Sequence, residues 1–307
     1  MNDVITTAGL TKDFKGHVAV DALDLRVPRG AVYGFLGPNG SGKSTTMKML
    51  LGLTQPTAGR ITLFGEPLTR ASRGDLLPEI GSMIEAPPGY GHLTGRENLR
   101  VVQDMLGLAD VQVDRALETV RLTDNQHKLV RDYSLGMKQR LGIAMALARE
   151  PRLLILDEPT NGLDPAGIEE IRTLLQQLAR QGITVMVSSH LLDEIDKMAT
   201  VLGILSNGRM IFQGTRDDLF QHSIPDLLID TPDPAAALRV LGDQVRADPD
   251  ARVSDAGGLR LSGVDRDQGA GIVRRLAVAG VPVYQVRRLP QSLEDVFMDL
   301  TGREGLR

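Results

Sequence analysis

The 307-residue chain contains no cysteine and no tryptophan, and aromatic residues make up only 3% of it. The absence of cysteine excludes a disulfide framework and a thiolate zinc site, and it suits a reducing compartment. With 42% apolar residues, the chain can still bury a large core. Because aromatics are scarce, that core must consist mostly of Leu, Val, Ile, Ala and Met.

Long apolar runs and an excess of positive charge are also missing. No run reaches the roughly 18 apolar residues that a membrane-spanning helix needs. The first residues, Met1-Asn2-Asp3, have neither the basic region nor the apolar core of a secretory signal. The net charge of -4 argues against a general nucleic-acid-binding protein. We therefore expect a cytosolic protein that meets a membrane only through a partner.

The composition predicts a large domain followed by a small one. Pro, Asp and Ala become frequent after about residue 221. We predict a first domain over residues 1–220, with a mainly helical segment at about 80–150. A small α+β domain is predicted over residues 221–307, with a strand at 281–289 and a helix at 292–300.

Local patterns predict the elements of the first domain. Short apolar runs predict buried strands at 31–36, 153–156 and 183–187. Asn207-Gly208 predicts a two-residue hairpin turn. Helix starts are predicted at Lys43, at a Thr94/Glu97 capping box, at 135 and after Asp164 as N-cap.

A phosphate-binding loop stands between the first buried strand and the next helix. The sequence reads Gly37-Pro38-Asn39-Gly40-Ser41-Gly42-Lys43-Ser44 and matches G-x-x-x-x-G-K-[ST]. Lys43 is expected to reach the β- and γ-phosphates, Ser44 to ligate Mg²⁺ and Thr45 to contact the α-phosphate. The alternative, a Gly-rich turn that happens to contain a lysine, is disfavoured by the strand and helix on either side.

Two carboxylates follow the buried strand at 153–156. At the carboxyl end of such a strand, Asp157 is placed to hold Mg²⁺, and Glu158 to orient or deprotonate the attacking water. An ordinary solvated turn is the alternative for Asp157-Glu158-Pro159. The phosphate loop makes that alternative much weaker.

A serine and a glycine open the helix predicted at 135. Ser134 and Gly136 present a hydroxyl and unobstructed amides, which suit anion binding. The alternative is that Ser134 only caps this helix.

In chain order, these motifs resemble the ABC ATPase family over roughly residues 3–215. The resemblance implies a P-loop NTPase α/β fold with antiparallel β and helical subdomains. The segment from Tyr133 to Met137 is similar to the family's Leu-Ser-Gly-Gly-Gln, but Tyr133, Leu135 and Met137 depart from it. Ser134 and Gly136, which carry the phosphate contact in the family, are retained.

The resemblance also implies a mechanism. Two copies would face each other head to tail around two ATP molecules, each site taking Ser134–Gly136 from the other copy. Asp164 would bridge the copies, and His190 would contact the γ-phosphate. Phe14 stands where the family stacks an aromatic ring on adenine, with core packing as the alternative. For His190 the alternative is a buried helix-capping histidine.

Glu85 ends a segment that in the family normally ends in Gln. The resemblance implies that Glu85 ligates Mg²⁺ or holds the attacking water, and that it links the site to a membrane partner. Glutamate here, and the Pro87–Tyr90 segment that follows, are similar to bacitracin- and lantibiotic-resistance transporters. The alternative is a surface glutamate with no such role.

The resemblance implies an ATP-hydrolysing subunit that uses ATP and Mg²⁺ and drives a separately encoded permease from the inner face of the membrane. Export of an antibiotic peptide, a drug or a lipid-like molecule is expected, with no nucleic-acid partner. Two rival hypotheses are a soluble ABC protein acting on the ribosome or DNA, and a nucleotide-binding regulator that does not turn over.

Overall fold

The computed structural model describes residues 3–85, 87–189, 192–221, 225–242, 258–262, 264–289 and 292–301. The chain divides into two compact units, one formed by Met1–Arg216 with Met298–Arg307 and the other by Asp217–Phe297. Among the described residues, no helix has the length and apolarity required to cross a bilayer.

The strands and helices follow in chain order. The strands are β1 (Asp3–Phe14), β2 (His17–Leu23), β3 (Arg26–Pro28), β4 (Val32–Leu36), β5 (Ala58–Leu63), β6 (Glu66–Pro67), β7 (Ile80–Met83), β8 (Leu153–Leu156), β9 (Thr184–Ser189), β10 (Val201–Ser206), β11 (Arg209–Thr215), β12 (Asp226–Asp230), β13 (Gly258–Leu261) and β14 (Gln285–Leu289). The helices are α1 (Lys43–Leu50), α2 (Arg73–Leu76), α3 (Gly95–Leu106), α4 (Asp110–Thr119), α5 (Leu135–Leu147), α6 (Pro165–Arg180), α7 (Leu192–Met198), α8 (Arg216–Gln221), α9 (Pro234–Leu241), α10 (Arg266–Val278) and α11 (Leu293–Thr301).

The first unit contains an antiparallel sheet and a mostly parallel one. The antiparallel sheet has the order β2-β1-β5-β6, with β3 also paired to β1. The second sheet has the order β11-β10-β4-β9-β8-β7, in which only β11 is antiparallel to its neighbour. Every residue of β4, β8 and β9 is buried, as expected for parallel strands covered on both faces. This architecture confirms the predicted α/β fold class.

The parallel sheet brings the predicted chemistry to one edge. The loop after β4 holds the phosphate motif, and Asp157 and Glu158 follow β8. Since β4, β9, β8 and β7 run parallel, their carboxyl ends lie side by side.

The segment at 80–150 is not helical from its start. Its first residues form β7, which pairs in parallel with β8. Gly81 lets β7 lie directly on the backbone of α5, because a Cβ there would collide with the carbonyl of Ala146. The strand therefore depends on tertiary pairing that its own four residues do not signal.

The remainder of that segment contains α3, α4 and α5. The predicted capping box is present at the start of α3: Glu97 N donates to Thr94 Oγ1 at 3.2 Å, and Thr94 N donates to Glu97 Oε2 at 2.8 Å. The capping box satisfies backbone amides that the first helical turn leaves unpaired.

The second unit has its own sheet and core. Strand β12 lies between β13 and β14 and is antiparallel to both. Arg260 bonds the carboxylates of Asp226 and Asp295, so the buried Asp226 has a cationic partner. The apolar core consists of Leu227, Ile229, Ala237, Leu241, Leu259, Leu261, Val264, Ile272, Leu276 and Val281.

Candidate nucleotide-binding site

The loop between β4 and α1 is packed too tightly for side chains at two of its glycines. A Cβ at Gly37 would collide with the carbonyl oxygen of Leu205 and with Ser41 Oγ. At Gly42, where φ is 104°, a Cβ would collide with the carbonyl of Ala19. These positions require glycine because the backbone itself forms the wall of the loop.

Lys43 is buried and directed back into this loop. Its Nζ donates to the carbonyl oxygens of Gly37, at 2.6 Å, and Pro38, at 3.1 Å. Burial lowers the pKa of Lys43, and the negative charges of Glu158 and then Asp157 oppose that shift. The loop therefore holds a cation at its centre.

The loop and the start of α1 have the groups that a phosphate needs. Gly42 is the N-cap of α1 and supplies no side chain to the first amides of the helix. Ser41 Oγ is buried and has no hydrogen-bond partner among the described residues. Unpaired donors around a buried cation at a helix start fit an anion, so the residues present fit a nucleotide phosphate.

Ser188 contacts both of the acidic residues that follow β8, one through its carboxylate and the other through its backbone. Its hydroxyl donates to Asp157 Oδ1 at 2.5 Å and accepts from the backbone N–H of Glu158 at 2.9 Å. Asp157 is buried, and its own N–H donates to the carbonyl of Met83 at 2.9 Å. Sequence reasoning missed Ser188, although a polar residue at the end of a buried strand is a usable signal.

Ser188→Ala is expected to destabilise the first unit by about 1–3 kcal/mol, because the buried carboxylate of Asp157 loses its hydroxyl partner. The measurement is urea unfolding together with steady-state ATP hydrolysis, which should also fall. Ser82→Ala is the matched control, since Ser82 is exposed on β7. An unchanged unfolding midpoint and normal hydrolysis in Ser188→Ala would contradict this role.

A cavity of about 320 Å³ adjoins the loop. It is lined by Phe14, His17, Ala19, Asn39, Gly40, Gly42, Lys43, Ser44, Thr45 and Glu158. Phe14 ends β1 and is 47% exposed, so core packing is not its role. Lys12 Nζ lies 4.8 Å from the centre of the Phe14 ring. Six of the predicted loop residues therefore surround one space together with Phe14 and Glu158.

A larger cavity, of about 820 Å³, lies elsewhere in the first unit, beside the end of α1 and strand β5. None of the predicted site residues lines it. The predicted phosphate-loop residues therefore adjoin the smaller cavity.

The oxygen donors beside this cavity fit Mg²⁺. Ser44 lines the cavity. Asp157 is a buried carboxylate that follows β8, in the same sheet as the strand that leads into the phosphate loop. Within the part of the chain that the structure describes, no three His, Cys, Asp or Glu side chains cluster. A metal here would depend on Ser44, Asp157 and oxygens of the nucleotide, which is how Mg²⁺ is usually held beside phosphates.

Glu85 does not line the cavity. It lies two residues after β7, its side chain is 68% exposed, and its Oε1 lies 2.6 Å from Lys48 Nζ on α1. The hydrogen bond and the charge of Lys48 lower the pKa of Glu85. The carboxylate is therefore ionised and held against the nucleotide-binding helix.

Ser134, Gly136 and Asp164 are outside the cavity as well. Ser134 caps α5 by accepting from Met137 N at 3.2 Å, and Asp164 caps α6 by accepting from Gly167 N at 3.0 Å. Both caps are exposed. One copy of the chain thus does not bring these residues to its own phosphate loop. The predicted His190 lies outside the described residues.

Tyr133, one of the departures from the family pattern, is buried. Its hydroxyl donates to the carbonyl of Asn125 at 2.7 Å, and burial raises its pKa. The ring reaches this carbonyl because position 95 is glycine, where a Cβ would collide with the hydroxyl. Tyr133 thus anchors the start of α5, whereas Leu135 is 43% exposed.

Comparison with known proteins decides the family. The chain is 41% identical over 305 residues to the bacitracin transport ATP-binding protein BcrA of Bacillus licheniformis, covering 98% of both chains. The chain belongs to the ABC transporter family. The family profile described as ABC transporter matches residues 20–161.

Two further relatives place the ATPase within this family. This chain is 42% identical over 221 residues to the lantibiotic transport ATP-binding protein SrtF of Streptococcus pyogenes, and the match covers 70% of this chain and 95% of SrtF. The structure of cbiO1 from Clostridium perfringens, part of the ABC transporter complex cbiONQ, is similar with a TM-score of 0.67 and 29% identity. That match covers 72% of this chain and 92% of cbiO1. As an ABC transporter ATPase, the chain binds and hydrolyses ATP.

Proposed function

We propose that this ABC ATPase works as a homodimer and energises export of an antibiotic peptide, a drug or a lipid-like molecule through a separate permease. The observation that carries the proposal is the similarity to a bacitracin transport ATP-binding protein along 98% of both chains. The similarity extends through the second unit, so it is not limited to the motifs that bind ATP. No comparison favours the rival activity on ribosomes or DNA.

The placement of the described site residues supports the following proposed roles, and the role of His190 rests on the family resemblance alone. Lys43 and the loop amides of residues 37–45 bind the β- and γ-phosphates, and Phe14 stacks on adenine at the cavity rim. Ser44 and Asp157 would hold Mg²⁺, and that ion would neutralise phosphate charge. Glu158 orients the attacking water or accepts its proton. His190 contacts the γ-phosphate.

The site is completed by a second copy. Ser134 and Gly136 of one copy approach the phosphate loop of the other, and Asp164 bridges the two. This arrangement accounts for the exposed position of Ser134 and Asp164 in a single copy, away from its own cavity. Glu85 contacts MgATP and passes its state to the permease.

The permease holds the ATPase at the inner face of the cell membrane. We assign residues 1–220 to the nucleotide-binding domain and residues 221–307 to a small accessory domain that stabilises the dimer. Cargo selection belongs to the permease, which is the part of the transporter that contacts the cargo.

Co-expression of this chain with its permease should protect a susceptible bacterium. We expect the minimum inhibitory concentration of bacitracin, a lantibiotic or daunorubicin to rise severalfold, and the Lys43→Ala variant to give no protection because the phosphates lose their cation. The proposal fails if resistance is unchanged for all three compounds and the chain copurifies with ribosomes or DNA and not with membranes.

A further inference from the structure

Lys48 forms an ion pair with Glu85 although 37 residues separate them. The ammonium of Lys48 lies 2.6 Å from Oε1 of Glu85. Lys48 belongs to α1, and Glu85 belongs to the segment that follows β7. The ion pair therefore ties the helix that begins at the phosphate loop to Glu85.

The pair lies close to the proposed metal position. Lys48 follows Ser44 by four residues on α1, so both side chains lie on one helix face, about 6 Å apart along the axis. On the sheet, Met83 pairs with Leu156, so Glu85 and Asp157 follow neighbouring strand ends. Glu85 is thus held by a residue that lies one helical turn from a proposed Mg²⁺ ligand.

The backbone of Glu85 is also unusual. Its φ of 69° is left-handed, a conformation that a glutamate rarely adopts without contacts that maintain it. The ion pair with Lys48 is such a contact. The left-handed backbone of Glu85 and its ion pair with Lys48 together define where the carboxylate lies.

We propose that Lys48 is a positioning residue that holds Glu85 away from the metal site and competes with Mg²⁺ for its carboxylate. This inference rests on the proposed function, in which Glu85 contacts MgATP. The ammonium of Lys48 holds Oε1 of Glu85, so that oxygen is less available to a metal ion while the ion pair persists. Lys48 therefore sets the Mg²⁺ concentration at which Glu85 joins the site.

The test measures nucleotide binding and needs no turnover. Binding of adenylyl imidodiphosphate to the full-length chain is followed by calorimetry at increasing Mg²⁺. Lys48→Met should lower the half-saturating Mg²⁺ concentration by about two- to fivefold, the range expected on losing one exposed ion pair. Lys48→Arg should behave as wild type because it keeps the cation.

Glu85→Gln provides the decisive background. There, Lys48→Met should no longer shift the Mg²⁺ dependence, because no carboxylate remains to be released. A shift of equal size in both backgrounds, a shift to higher Mg²⁺ or no shift would overturn the inference. Lys48→Gln is a second neutral variant in case Lys48→Met folds poorly, which circular dichroism would reveal.

Two controls separate this inference from the proposed function. Arg115→Met removes a cation from another exposed ion pair, with Glu150, and should leave the Mg²⁺ dependence unchanged. In EDTA, which removes Mg²⁺, all variants should bind the nucleotide with equal affinity. If wild-type protein hydrolyses ATP with Mg²⁺ but Lys48→Met does not lower the half-saturating Mg²⁺ concentration, only the inference fails. If nucleotide binding and ATP hydrolysis by the wild-type protein do not depend on Mg²⁺, the proposed function fails together with the inference.

Discussion

Glu158→Gln should reduce ATP turnover by about 10²–10⁴-fold, the range that a positioned general base contributes, while ATP still binds. Glutamine has nearly the same shape as glutamate, so the backbone bond from Glu158 N to Ser188 can remain. The substitution removes the negative charge of Glu158 and its ability to accept a proton. Because hydrolysis is then blocked, the ATP-bound dimer should accumulate, and analytical ultracentrifugation with and without ATP would detect it.

Glu150→Gln is the matched control for this variant. Glu150 and Glu158 both have left-handed backbones, with φ of 56° and 48°, and both follow the ends of elements in the first unit. Glu150 does not line the nucleotide cavity, so its variant should hydrolyse ATP at the wild-type rate. Normal turnover in Glu158→Gln would refute the assignment of the base, whatever the oligomeric state.

The elements and motifs that the sequence predicts are those that obey local rules. The phosphate loop, the Thr94 capping box and the Asp164 N-cap each depend on residues a few positions apart. Their side chains bond to nearby backbone amides, so spacing along the chain fixes their geometry. The buried strands are similarly evident, because both of their faces require apolar residues.

The contacts that the sequence does not reveal join distant segments. Ser188 is 31 residues from Asp157, and Lys48 is 37 residues from Glu85. Strand β7 forms only because β8 pairs with it. In each case the partner is determined by how distant segments pack in the folded chain, and no periodicity within the segment carries that information.

Ser134→Asp should abolish ATP hydrolysis without unfolding the protein. Aspartate caps helices as well as serine does, so the bond from Met137 N to side chain 134 can be kept. A carboxylate in place of the hydroxyl would repel the γ-phosphate held by the partner copy. A residue that only caps α5 would tolerate this change, and unaltered ATPase activity would therefore show that Ser134 has no contact with nucleotide.

Gly136→Ala tests the same contact by size. Among the described residues of a single copy, the added methyl would meet only Leu163, at an ordinary 3.8 Å. Alanine also favours the helix, so stability should not fall. Any loss of hydrolysis must then arise where a second copy approaches.

Mixing Ser134→Asp with Lys43→Ala tests whether each site is shared between two copies, since each homodimer is expected to be inactive. A mixed dimer keeps one site with an intact loop and an intact serine, so random pairing should restore about a quarter of wild-type turnover if the sites act independently. A site built within one copy would gain nothing from mixing.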